Sequence, residues 1–189
     1  MGNEGVLKLV ALGANLSASG ETLEKTLSQA IERMARAGFA IRAVSRFFKT
    51  PCFPVGVGPD YVNAAIAVTS PHSAMDTLVQ LHKIEAMFGR ERLQRWGQRT
   101  LDLDLIGMDD SVLPNLAGFN KWYGLDPEMQ AKAAPTELVL PHPRIQDRAF
   151  VLVPLADVTP DWVHPVINKS VRQMLMELPV SEITQVTPV

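Results

Sequence analysis

The chain has 189 residues, of which 47% are hydrophobic and 20% charged, with a formal net charge of −2. That length and balance fit one globular domain with a sizeable core, and they exclude a broad electrostatic attraction to nucleic acid, so any basic site must be local. Cys52 is the only cysteine, which excludes an intramolecular disulfide and a cysteine zinc cluster. No apolar run is long enough to span a membrane, and Met1 to Val10 lacks the basic and apolar regions of a signal peptide, so a cytoplasmic protein is expected.

Val6 to Leu12 is short and apolar and reads as a buried strand that ends at Gly13. A turn over Gly13 to Ser17 follows, with Ser17 or Ser19 able to cap a helix. Leu23, Leu27, Ile31 and Met34 recur at helical spacing through Glu21 to Ala37, and Gly38 is a natural stop. The loop before this helix has no Gly-Lys-Ser/Thr and is not a Walker A loop. Ile41 to Phe48 reads as the second strand. Lys49 to Asp60 carries Pro51, Pro54, Gly56, Gly58 and Pro59, a long irregular connection of the kind that often serves function.

Tyr61 to Thr69 reads as the third strand, with Val62, Ala64, Ile66 and Val68 on one face and Tyr61 and Asn63 on the other. An aromatic ring beside an amide can stack on and hydrogen-bond a planar heterocycle; the same pair also suits a plain exposed sheet face. Ser73 to Asp76 has the capping pattern of a second helix, with Met75, Leu78, Leu81 or His82, and Phe88 at helical spacing up to Gly89. Glu85 sits near the end of that helix, where a carboxylate opposes the helix dipole, which suggests that it holds an arginine or a ligand hydroxyl.

Arg90, Arg92, Arg95 and Arg99 fall in one ten-residue window around Trp96. Arginine's planar fork suits phosphate. Directly after it, Leu101, Leu103 and Leu105 alternate with Asp102 and Asp104. Period-two alternation predicts a half-buried strand with both aspartates on one face, roughly 6–7 Å apart at Cα. Two carboxylates so placed repel unless a cation lies between them, and hard oxygen ligands favour Mg²⁺. An acidic metal site fused to an arginine stretch suggests chemistry on a Mg²⁺-bound polyphosphate.

The order strand, helix, strand, strand, helix, strand predicts an α+β ferredoxin-like βαββαβ two-layer sandwich with an antiparallel sheet. From Asp109 to Glu137 the pattern dissolves into an extended insertion. Leu138 to Leu140 looks like a short extra strand, and Pro141-His142-Pro143-Arg144 like a rigid turn. Val151 to Leu155 should be core, and His142, Arg144 and Arg148 can add positive charge to the same pocket. Trp162 and His164 read as packing residues. Ser170 and Gln173 cap a last short helix, one of the additional C-terminal helices, and Pro179 to Val189 looks like a loose tail. The whole is expected to be a single domain, with its core over about 6–176.

Taken together, Ala11-Leu12-Gly13-Ala14-Asn15, Thr50-Pro51, Tyr61 to Ala65, Glu85, Gly89-Arg90, the run Arg95 to Leu105, Pro141-His142 and Arg148-Ala149-Phe150 closely resemble the 6-hydroxymethyl-7,8-dihydropterin pyrophosphokinase family. The family has the ferredoxin-like fold and transfers the β,γ-pyrophosphoryl group of ATP to the pterin's hydroxymethyl oxygen, releasing AMP, in folate biosynthesis. The resemblance implies that Asp102 and Asp104 hold two Mg²⁺ ions, and that Arg90 and Arg99 are catalytic beside them. It implies an ATP site of His82, Glu85, Arg92, Arg95, Trp96, Arg99, His142 and Arg148. It implies a pterin pocket of Thr50, Pro51, Phe53, Tyr61, Asn63, Trp96 and Phe150. ATP and the pterin are then the partners, with neither nucleic acid nor membrane, and a monomer is expected. Gln98 stands where the family commonly has proline.

Two other readings fit parts of the pattern. A metal-dependent nucleotidyl or glycosyl transferase needs the paired aspartates but leaves Asn63, Phe150 and the arginines unexplained together. A ferredoxin-like module that binds a nucleotide or pterin without turnover needs no paired metal carboxylates.

Overall fold

The computed structural model describes residues 5–17, 20–52, 58–89, 100–126, 129 and 135–189. The first apolar run forms β1 (Val6–Ala14), which continues through Gly13 where a turn was expected. Thr22, rather than Ser17 or Ser19, caps α1 (Leu23–Arg36), its side chain accepting the Lys25 N–H at 3.3 Å. Leu27 and Met34 are fully buried, and Gly38 takes a positive φ of 91° that ends the helix.

The expected second strand divides into β2 (Ala40–Val44) and β3 (Phe48–Thr50). Ser45 lies at the break: its backbone N–H donates to the Ala65 carbonyl at 2.9 Å, while its Oγ accepts the Ala65 N–H at 2.9 Å, so a side chain supplies half of the pairing there. Next come β4 (Tyr61–Ser70) and α2 (Ala74–Met87), whose Ser73 cap accepts the Asp76 N–H as expected. The buried stripe of α2 is Ala74, Thr77, Leu81, Ile84 and Glu85. Met75, expected on that stripe, is 54% exposed. Small and polar residues carry the buried phase here, and hydrophobicity alone points one residue off. The fourth core strand is β5 (Asp102–Met108).

The insertion holds α3 (Leu116–Tyr123), capped by Asn115 and anchored by Phe119, whose ring lies between Tyr123 and His164. The extra strand expected at 138–140 is a single bridge, Leu113 to Leu140. A 3₁₀ turn (Ile145–Asp147) leads into α4 (Ala149–Val158), followed by α5 (Val171–Glu177), where Ser170 and Gln173 form both halves of the predicted capping box. The last residues are not a loose tail. They form α6 (Val180–Ile183) and β6 (Thr187–Pro188), which pairs with β3.

Sheet order is β5-β1-β4-β3-β6, with β2 beside β4 and every pair antiparallel. This is the ferredoxin-like α+β arrangement. Helices α1 and α2 cover one face, burying Leu27, Met34, Leu81 and Ile84 against Val10, Leu12, Ile66, Val68, Leu103 and Leu105. On the second face, α4 and α5 cover Leu9, Ala65, Ala67 and Ile106. Arg46 fastens α4 to the β2–β3 break: its backbone N–H, Nε and Nη2 all donate to the Asp157 carboxylate, at 3.2, 2.9 and 2.8 Å. That bidentate contact holds the Asp157 carboxyl below its usual range. Among the described residues no helix is long and apolar enough to cross a membrane.

Candidate active site

The alternation in Leu101 to Leu105 does what its period demands. The three leucines are buried against the helices, and Asp102 and Asp104 are half-buried on the second face. Strand register then decides what lies beside them. Asp102 stands opposite Gly13, Gly13 opposite Asn63, and Asn63 opposite Phe48. Residues directly opposite in an antiparallel pair share a face, so these four form one row across β5, β1, β4 and β3. Asp104 stands opposite Ala11 in the next row, and Tyr61 opposite Thr50 on the other side.

Asn63 is buried, and its Nδ2 donates to Thr50 Oγ1 at 2.7 Å. Its Oδ1 lies only 2.9 Å from where a β-carbon of Gly13 would sit. Gly13 is thus the bare floor over which the amide lies. Sequence reasoning missed this because the glycine looked like a strand stop; only the register gives it a role. Tyr61 and Pro51 are half-buried nearby in the chain, and Cys52 is a buried thiol donating to the Gly58 carbonyl at 3.0 Å.

Glu85 is 1% exposed, and its Oε1 accepts the Leu103 N–H at 2.8 Å. It therefore grips the outer edge of β5 at the peptide between the two aspartates. His82 is exposed on α2, one turn before Glu85.

Farther along β5, the His142 backbone N–H donates to the Ile106 carbonyl at 2.8 Å, and the His142 Nδ1 accepts the Arg144 N–H at 3.2 Å. The proton of the neutral ring is therefore assigned to Nε2. Burial, then the charges of Arg148 and Arg144, push its pKa down to about 3, against a smaller opposing pull from Asp102. Those mutual influences gather His142, Arg144, Arg148 and Asp102 into one neighbourhood. The Arg148 guanidinium lies 5.7 Å from the centre of the Phe150 ring, and Phe150 is 42% exposed at the start of α4.

The structure thus brings Asp102, Asp104, His142 and Arg148 to one side of the row and Asn63, Thr50 and Tyr61 to the other. Phe53, Arg90, Arg92, Arg95, Trp96, Gln98 and Arg99 lie outside the described residues.

Two half-buried carboxylates on one strand face suit Mg²⁺, which takes one or two protein carboxylates and fills its remaining positions with phosphate oxygens and water. The described residues hold no group of three or more His, Cys, Asp or Glu that would enclose an ion by themselves.

The sequence pattern of the family described as 7,8-dihydro-6-hydroxymethylpterin-pyrophosphokinase (HPPK) matches residues 9–160. The chain belongs to the HPPK family. A 2-amino-4-hydroxy-6-hydroxymethyldihydropteridine pyrophosphokinase from Synechocystis sp. is 34% identical over 95% of this chain and 80% of its own length. One of the same name from Haemophilus influenzae is 32% identical over 87% of this chain and 90% of its own. The crystal structure of wild-type Plasmodium falciparum HPPK-DHPS superposes with a TM-score of 0.64 at 14% identity. It covers 93% of this chain, which spans 45% of that longer one, and the likeness speaks for the HPPK fold alone. The protein is an ATP-using pyrophosphokinase of folate biosynthesis.

Proposed function

We propose that the chain transfers the β,γ-pyrophosphoryl group of ATP to the hydroxymethyl oxygen of 6-hydroxymethyl-7,8-dihydropterin, giving the pterin diphosphate and AMP. The row Asp102–Gly13–Asn63 carries this reading. Asp102 and Asn63 are two strands apart, about 10 Å, the reach of a two-ring heterocycle with a one-carbon arm. Asn63, aimed by Thr50, reads the polar edge of the ring; Tyr61, Phe150 and Pro51 supply apolar walls, with Phe53 and Trp96 assigned to the same pocket by resemblance. The hydroxyl at the far end of the arm then meets the acidic end of the row.

Asp102 and Asp104 would hold two Mg²⁺ ions, which when bound neutralise the triphosphate and withdraw charge from the attacking and leaving oxygens. Arg148 contributes fixed positive charge toward the phosphates, and Arg90, Arg92, Arg95 and Arg99 are assigned there by resemblance. His142 stays neutral and presents an Nε2 donor, so it orients a phosphate oxygen without adding charge. Glu85 keeps β5 in place beneath the aspartates, and His82 lies toward the nucleotide. The chain is proposed to act as a monomer. An ATP-dependent reaction with no nucleic-acid or membrane partner suits the cytoplasm.

The test is product identity. Incubation with Mg-ATP and 6-hydroxymethyl-7,8-dihydropterin, followed by separation of nucleotides, should yield pterin-dependent AMP. Pterin-dependent ADP would sink the pyrophosphoryl mechanism, and pterin binding without turnover would make the chain a binding module.

A further inference from the structure

Phe48, Ala149 and Val186 form a small buried cluster of their own, with Val153 and Leu178 packed against it. Two of its members adjoin residues of the proposed pterin pocket. Phe48 lies on β3 opposite Asn63 and two residues before Thr50. Ala149 lies between Arg148 and Phe150 at the start of α4. Val186, 8% exposed, is the third member and comes from the far end of the sequence.

Val186 is held from both sides: its N–H donates to the Ile183 carbonyl at 3.1 Å, and the short strand after it is paired. Thr187 and Pro188 pair with Lys49 and Phe48, and the Val189 N–H donates to the Phe47 carbonyl at 3.0 Å. Without β6, β3 is a three-residue edge strand paired only with β4. Such short pairings are weak by themselves and open first at their ends. The end of β3 is Thr50, whose hydroxyl aims the Asn63 amide. Loosening β3 therefore reaches Asn63 through one hydrogen bond and reaches Phe150 through Ala149.

We infer that Val186 is a positioning residue for the pterin side of the site, and that residues 186–189 act as a strap that sets pterin affinity. The inference rests on the pocket assignment made under Proposed function. It gives the last strand a task separate from the acidic end, where β5 is held by β1 and Glu85.

Three variants test it: removal of residues 186–189, Val186→Ala and Val186→Ile. Steady-state KM for the pterin and for ATP, kcat and the thermal midpoint are measured for each, with Asn63→Ala alongside. The deletion and Val186→Ala should raise the pterin KM by at least about five-fold while the ATP KM stays within about two-fold, and Val186→Ile should behave as the parent. Should the deletion fail to fold, Val186→Ala alone decides. An unchanged pterin KM in Val186→Ala overturns the inference, as does an equal rise for both substrates, which would make the strap a general stabiliser. If Asn63→Ala keeps the parent pterin KM, the pocket assignment fails and takes the inference with it. If Asn63→Ala loses pterin and Val186→Ala does not, only the strap fails.

Discussion

Gly13 faces Asn63 across the β1–β4 pair, and the Asn63 Oδ1 lies 2.9 Å from the point a Gly13 β-carbon would occupy. Gly13→Ala therefore has to push the amide off the strand floor and away from Thr50. The backbone there is ordinary strand, so the fold should survive. We expect the pterin KM to rise about ten-fold, equivalent to about 1.4 kcal/mol, with the ATP KM unchanged. Steady-state kinetics against each substrate checks this; equal KM values in both proteins would show that the amide has room to move.

The two aspartates should separate chemistry from folding. Replacing either one, Asp102→Asn or Asp104→Asn, should lower kcat by at least about 100-fold and shift the Mg²⁺ dependence to higher concentration. Thermal melts without Mg²⁺ should be equal to the parent or higher, because a repelling pair has been relieved. Chelation of Mg²⁺ from the parent should stop turnover and leave its circular dichroism unchanged.

Glu85 offers a cleaner division. Glu85→Gln keeps an acceptor for the Leu103 N–H and should keep the stability of the parent to within about 1 kcal/mol. Glu85→Ala leaves that buried N–H without its partner and should cost about 1–3 kcal/mol in urea unfolding. If both variants unfold alike, the 2.8 Å contact is not what holds β5.

His164 supplies a pH prediction away from the site. It is fully buried, its Nδ1 accepts the N–H groups of Val166 and Ile167, and burial pushes its pKa down to about 4. The unfolded ring titrates near 6.5, so between about pH 6.5 and 4 the unfolded chain holds the extra proton. Stability must then fall as the pH falls through that window, by on the order of 2–3 kcal/mol from this residue, and level off below it. His164→Phe should be less stable at pH 7, since two N–H groups lose an acceptor, yet its stability should fall less steeply across the window. The difference between the two curves isolates His164 from other groups.

Much of the acidic end was legible in the sequence because it depends on local periodicity. Leu101 to Leu105 could be read residue by residue, and so could the Ser73 and Ser170 caps. Long-range register is another matter. Nothing in the chain between Gly13 and Asn63 announces that they meet, so the glycine passed for a turn. Ser45 reads as an ordinary strand residue, and its Oγ takes over one acceptor of the pairing only when Ala65 lies opposite. The stripe on α2 was misjudged by one position because Thr77 and Glu85 are buried for reasons of contact rather than hydrophobicity. Thr187 and Pro188 look featureless until the open edge of β3 is there to receive them.

The row of Asp102, Gly13, Asn63 and Phe48 takes one residue from each of four strands. A slip of one residue in β5 would turn both aspartates into the leucine layer, and a slip in β4 would do the same to Asn63. Unpaired charges and amides buried in an apolar core are among the costliest errors a fold can make. The polar residues of this row therefore also disfavour a wrongly paired sheet, because a slip would bury them among the leucines. Correct pairing of these four strands is thus also what sets the two ends of the row at their spacing.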